Sequence, residues 1–232
     1  MRGLFVTGTN TGVGKTIVAA ALAWTLRKRK IDVGVMKPFA TASRVFSRKY
    51  RSQDTAILAR ASQVNDPDSE LNPFFYSIAA SPLVASELKN QPPINMEIAL
   101  QSLQNLARKH HFVIAEGIGG LMVPLTENEC VAGFAKRAEL PLLIVGTLRL
   151  GTINQTLLTV MACKEFELKV RGIILNKVPK KPNAVEQKTT EVIERLTGIE
   201  VLALLPILRT VNYSDIGAIL EKQLDLDDLL SM

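Results

Sequence analysis

Cysteine and histidine are nearly missing from this chain, which removes most thiol and metal chemistry before any motif is read. The two cysteines, Cys130 and Cys163, fall in different predicted helices with no CxxC spacing, so they read as core thiols rather than a disulfide framework or a zinc site. The two histidines, His110 and His111, are adjacent rather than one helical turn apart, and no acidic or thiol partner stands beside them, which argues against a histidine metal site. Aromatic residues make up 5% and do not alternate with basic ones, so a stacking platform for single-stranded nucleic acid is lacking. Also missing is a nucleophile set: there is no Gly-x-Ser-x-Gly, no histidine with a paired carboxylate and no cysteine with a positioned base, so covalent catalysis is not expected. Long apolar runs are absent as well. Ile17 to Leu26 is broken by Thr25 and followed by Arg27 to Lys30, short of the roughly 18 residues a membrane span needs. A loop, Gly8 to Thr16, stands where a signal peptide would have its apolar region, and a cytoplasmic protein with no membrane partner is expected.

One charge sign is in excess, with a formal net charge of +6. Its clusters, Arg27 to Lys30, Arg44 to Arg51 and Lys177 to Lys188, are scattered over different elements. They read as a solvated surface with attraction for a polyanionic nucleotide, and no nucleic-acid partner is expected.

What is present is concentrated at the start. Arg2-Gly-Leu-Phe-Val-Thr-Gly-Thr-Asn-Thr-Gly-Val-Gly-Lys-Thr16 reads as a short apolar strand, a glycine loop and a helix opened by lysine. That is a phosphate cradle: the N–H groups of Gly12, Val13 and Gly14 face an anion, and the helix that runs on through Ile17 adds its positive end. Lys15 would reach the β and γ phosphates and the Thr16 hydroxyl would ligate Mg²⁺. The loop is a variant, because five residues rather than four separate Gly8 from Gly14, leaving Thr9 at the first glycine position of a strict Walker A motif.

Apolar runs alternate with helical patterns along the rest of the chain. Strands are expected at Leu4–Thr7, Val33–Met36, Phe112–Ala115, Leu142–Val145, Gly172–Leu175 and Val201–Leu205, and helices at 15–29, 53–61, 96–109, 152–166, 184–196 and 216–230. Strands without alternation are buried on both faces, so the fold class is α/β: one P-loop NTPase-like domain over residues 1–232, with a mostly parallel sheet of about six or seven strands and helices on both faces. Right-handed crossovers then bring every strand's C-terminal end to one edge of the sheet. Lys37, Glu116 and Asn176, each the first polar residue after a run, converge there on the loop ending at Lys15. Pro38 to Pro93 is an irregular insertion beside that loop, the usual place for substrate contacts or a lid.

Thr16, Asp54 and Glu116 are three hard oxygen donors that suit Mg²⁺ on ATP phosphates. Gly117-Ile118-Gly119-Gly120 allows close backbone approach to phosphate or substrate. Asp54 also reads as a helix cap within Ser-Gln-Asp-Thr, and Lys37 as the plain end of a strand. Beside a nucleotide, Lys37 would neutralise charge on a transferring γ-phosphoryl group. Asn176-Lys177 matches the first two positions of the Asn-Lys-x-Asp base-reading element, but Pro179 takes the aspartate's place, so guanine is not favoured. The Asn176 amide suits an adenine edge, flanked by Pro206 and its neighbours Ile207 and Leu208. The reaction class these residues permit is ATP-dependent phosphoryl transfer to a small acceptor.

The motifs Val6 to Thr16, Lys37-Pro38, Asp54, Ser81-Pro82, Glu116 to Leu125, Leu150 to Thr159 and Gly172 to Asn176 together resemble the dethiobiotin synthetase family of biotin biosynthesis, in order and over essentially the whole chain. The resemblance implies closure of a ureido ring from 7,8-diaminopelargonate, CO₂ and MgATP, through a carbamate and a carbamic-phosphoric anhydride. It implies Thr16, Asp54 and Glu116 around Mg²⁺, and Lys15 and Lys37 on carbamate and γ-phosphate. Thr11, Thr41 and Gly119 would lie near the diamine, and Asn176 and Pro206 would border adenine. Asn154 would be offered across a homodimer interface to the substrate's carboxylate tail. The family usually has glycine after the residue corresponding to Thr41, where this chain has Ala42, and Arg44 to Arg51 is more basic than its pattern. The alternative is a ParA/MinD-like partitioning ATPase. Such proteins place a signature lysine where this chain has Asn10, and commonly end in a basic amphipathic helix, whereas 216–230 carries Glu221, Asp225, Asp227 and Asp228.

Overall fold

The apolar runs form a six-stranded sheet in which every neighbour pair is parallel. A computed structural model describes residues 1–179, 181–208 and 212–230. In chain order the elements are β1 (Gly3–Gly8), α1 (Lys15–Lys28), β2 (Val33–Met36), β3 (Phe39–Thr41), α2 (Gln53–Ser62), α3 (Asp68–Leu71), β4 (Phe74–Tyr76), α4 (Pro82–Leu88), α5 (Met96–Lys109), β5 (Phe112–Glu116), α6 (Val131–Ala138), β6 (Leu142–Thr147), α7 (Thr152–Glu165), β7 (Val170–Val178), α8 (Ala184–Thr197), β8 (Val201–Pro206), α9 (Tyr213–Gln223) and α10 (Leu226–Leu230). The main sheet runs β2-β5-β1-β6-β7-β8, and β3 pairs with β4 in a separate two-stranded parallel ribbon.

Every residue of β1, β2, β5 and β6 is buried, as a sheet covered on both faces requires. The covering helices pack as α1 with α2 and α9, α5 with α6, and α7 with α8. Helix α1 carries the run Val18-Ala-Ala-Ala-Leu-Ala23, wholly buried, because small side chains let it lie close to the sheet and to α9. Among the described residues no helix is long and apolar enough to cross a membrane.

Three expectations change. The predicted helix over 216–230 is two helices, because Leu224 is extended (φ −96°, ψ 137°). Gln223 turns back to the β8 edge, where Oε1 accepts from Leu204 N at 2.8 Å, and Asp225 Oδ1 starts a new turn by accepting from the N–H groups of Asp227 and Asp228 at 3.0 Å. Cys130 is not within a helix: it precedes α6 as its N-cap residue, while Cys163 is buried in α7, where burial pushes its thiol up to about 12. The insertion is more ordered than its prolines suggest, since it contributes β3, α3, β4 and α4 in addition to α2. Of the basic run Lys177 to Lys188, Lys180 lies outside the described residues.

Candidate active site

Strand β1 is central, and its C-terminal end opens into the glycine loop. Gly12 (φ 75°) and Gly14 (φ 104°) both hold left-handed backbone, which glycine adopts without penalty. At Gly14 a second reason applies, since a Cβ there would lie 2.1 Å from Asn176 Nδ2. That nitrogen donates to the Val13 carbonyl at 3.0 Å, and Lys177 Nζ donates to the Gly12 carbonyl at 3.0 Å. The two residues sit where β7 slips register against β8, with Lys177 itself at φ 58°. Their donors therefore brace the loop with its carbonyls turned outward. Lys15 completes it from inside, Nζ donating to the Asn10 carbonyl at 3.0 Å.

Four charged groups meet beneath that loop. Lys37, arriving at the end of β2, places Nζ 2.7 Å from Glu116 Oε1 and 3.0 Å from Asp54 Oδ2, and donates to the Gly117 carbonyl at 3.0 Å. Thr16 Oγ1, in the first turn of α1, donates to the same Glu116 Oε1 at 2.8 Å. Glu116 ends β5 and is 1% exposed, Lys37 3% and Lys15 7%. Burial works against the Lys37 ammonium, but Glu116 and then Asp54 outweigh it and hold the group above the usual lysine range. Burial likewise opposes the Asp54 charge and is overridden by Lys37, so this carboxyl sits below its ordinary value. For Glu116 burial prevails over Lys37 and raises the carboxyl. Lys15, desolvated and facing Lys37, is lowered to about 8.

Glu116 Oε2 is buried without any hydrogen-bond partner. An orphaned carboxylate oxygen beside a hydroxyl and a second carboxylate fits a hard divalent cation. Among the described residues no group of three or more His, Cys, Asp and Glu forms a protein-only metal cage. Two carboxylates and a threonine suit Mg²⁺ that keeps waters and phosphate oxygens among its ligands.

These groups line a cavity of about 650 Å³ that also takes in Thr11, Gly12, Gly14, Thr41, Ile118 and Gly119, so the insertion and the loop after Glu116 supply its outer wall. Sequence reasoning missed Val123, which closes on Gly119, and left without a role Ser81, the residue before Pro82 at the start of α4. The cue for Ser81 was the Ser81-Pro82 pair among the motifs that carry the family resemblance. Val13 is buried and Ile17 packs against the core, while Asn176 and Lys177 adjoin the loop from behind. Pro206 ends β8 and pairs with Val178, followed by exposed Ile207 and partly buried Leu208. Asn154 is exposed on α7, and this chain does not bring it to the cavity. A larger hollow of about 820 Å³ beside β4 and residues 91–98 is lined by Arg51, Glu97, Glu129 and Arg137, but Arg137 pairs there with an exposed Glu97 and its lining holds no lysine buried between carboxylates, so buried charge rather than size selects the site.

A family model described as an AAA domain matches residues 2–214. The curated ATP-dependent dethiobiotin synthetase BioD of Nitrosopumilus maritimus (strain SCM1) is 36% identical, with 99% of this chain and 100% of that protein covered. The BioD of Bacillus subtilis (strain 168) is also 36% identical, with 100% and 98% covered. The chain belongs to the dethiobiotin synthetase family. As a member it is an ATP-dependent cyclo-ligase. Solved structures show the wider fold of this synthetase: a ParA family ATPase from Chlorobium tepidum TLS aligns with a TM-score of 0.57 at 19% identity over 100% of this chain and 99% of that one. MinD from Pyrococcus horikoshii OT3, complexed with Mg-ADP, aligns with a TM-score of 0.56 at 14% identity over 99% and 98%. At such identities these likenesses speak to the P-loop fold alone.

Proposed function

We propose that residues 1–232 form one synthetase domain that joins 7,8-diaminopelargonate and CO₂ with MgATP to give dethiobiotin, ADP and phosphate. The observation that carries this reading is the Lys37 ammonium, buried between Glu116 and Asp54 in the same cavity as Lys15, Thr11 and Thr41. One substrate amine attacks CO₂ and loses a proton, giving a carbamate. A carbamate oxygen attacks the γ-phosphorus as ADP leaves, forming a carbamic-phosphoric anhydride. The neighbouring amine then attacks its carbonyl carbon, phosphate leaves, and the ureido ring closes.

The chain's residues serve by placement and charge. Two lysines facing one cavity hold carbamate and triphosphate together, although the two anions repel, and oppose the charge that shifts during transfer. Thr11, Thr41 and the Gly119 backbone wall the diamine. The ends of β7 and β8, Asn176, Lys177 and Pro206 to Leu208, border the adenine. Mg²⁺, held by Thr16, Asp54 and Glu116, would supply neutralisation of phosphate charge. A homodimer would complete the site, with Asn154 reaching the partner's substrate carboxylate. In support, Leu158 (57% exposed) and Met161 (63%) lie one and two helical turns from Asn154 on the same open face of α7, and Leu150 is fully exposed just before it.

The reaction is tested by incubating the protein with diaminopelargonate, bicarbonate and MgATP and measuring dethiobiotin by mass. ATP consumption by folded protein with no dethiobiotin would overturn it.

A further inference from the structure

Lys37 is fixed through its side chain on one side and through its backbone on the other. Its peptide N–H donates to the Leu71 carbonyl at 2.7 Å, and its own carbonyl accepts from Asn72 Nδ2 at 2.7 Å. β2 is an edge strand, so residues 71 and 72 replace the partner strand it lacks on that side. The second Asn72 amide hydrogen goes to the Phe74 carbonyl at 3.1 Å, while Phe74 N donates to the Pro38 carbonyl at 3.2 Å. Asn72 is fully buried, and both of its amide hydrogens are spent on the two backbone carbonyls either side of it. Outside this layer, the Asn72 carbonyl accepts from the Arg51 guanidinium, whose Nε donates to Asp68 at 2.6 Å.

An apolar side chain would fill the same space but take a donor from the buried Lys37 carbonyl and from the half-buried Phe74 carbonyl, and an aspartate would set a carboxylate against them. The side chain also reaches the backbone of the residue that meets the phosphate, and makes no contact with the cavity itself.

We propose that Asn72 is a positioning residue for Lys37: it sets where the β2 end stops, and so how far the ammonium projects toward the transferring phosphoryl group. This rests on the reading of Lys37 given above. Misplacement of a charged group by about 1 Å lowers turnover by about a hundredfold.

The test is a double-mutant cycle. Asn72→Ala and Arg51→Gln are made alone and in a Lys37→Ala background, and kcat and KM for ATP are measured well below each variant's unfolding temperature. Asn72→Ala is expected to lower kcat about a hundredfold with KM for ATP little changed. In the Lys37→Ala background the same substitution should have almost no further effect, since no ammonium remains to be misplaced. Arg51→Gln, at the surface, should give a smaller loss of the same kind, and decides the matter if Asn72→Ala does not fold. Equal losses with and without Lys37, or a folded variant with near wild-type kcat, overturn the proposal. If the wild-type protein makes no dethiobiotin, the proposed reaction falls instead, and the cycle is read on ATP turnover to judge Asn72 separately.

Discussion

At the scale of single residues the decisive group is the Lys37 ammonium, because two carboxylates, Asp54 and Glu116, hold it at the base of the cavity. Lys37→Ala should lower kcat by about two to three orders of magnitude, in line with the loss of one preorganised electrostatic group. The same substitution leaves Glu116 buried without its cation, so its folding should be checked by circular dichroism. Turnover near the wild-type rate in folded protein would remove Lys37 from the chemistry. Lys15 gives a prediction in pH. Its pKa is lowered to about 8, first by burial and then by Lys37, and a bound triphosphate would raise it again. ATP binding therefore takes up a proton above pH 8: affinity should be flat below that value and fall by up to tenfold per pH unit, roughly, above it. Calorimetric Kd values for ATP between pH 7 and pH 9.5 test this, and a flat profile would contradict it. The fall should vanish in Lys15→Arg, whose guanidinium stays charged.

At the scale of elements, the junction of β1 with α1 is the constrained one. Gly14→Ala combines a left-handed φ with a Cβ placed on the Asn176 amide, and should destabilise the protein by about 1–3 kcal/mol while weakening ATP binding. Gly12→Ala faces open space and carries only the backbone penalty, so it should be the milder of the two in denaturant unfolding and in ATP affinity. The reverse order would mean that the β7 brace does not support the loop. The strands were legible because their runs of valine, isoleucine and leucine are buried on both faces, a pattern that needs no knowledge of neighbours. The ends of elements were not. Nothing local shows that Gln223 bonds across to Leu204 and so breaks the last helix, or that Cys130 stands just outside α6. The insertion was hard to read for the same reason: β3 and β4 are three residues each and exist because they pair with each other.

At the scale of the whole molecule the open face of α7 remains. Exposed Leu150, Leu158 and Met161 beside Asn154 are the surface through which a homodimer would complete two sites at once. Leu158→Asp should give a monomer in light scattering at micromolar concentration, with KM for diaminopelargonate raised about tenfold or more and ATP affinity unchanged, because the tail loses a polar contact while the phosphate loop keeps its own. A dimer with unaltered kinetics would show that the interface lies elsewhere.

What the amino-acid order settled alone was the phosphate loop, the parallel sheet and the list of polar residues at its edge. Each depends on local spacing: glycines where the backbone must turn, apolar runs of strand length, and a first polar residue where each run stops. Only the folded chain decided which of those residues share a charge. Lys37, Asp54 and Glu116 are far apart in sequence, and burial turns them into one coupled group. Asn176, whose amide the sequence cue assigned to a base edge, and Lys177 support the loop with side-chain donors. Asn72 carries no motif that names Lys37. Its part follows from an edge strand that lacks a neighbour, and a missing neighbour is a property of the assembled sheet.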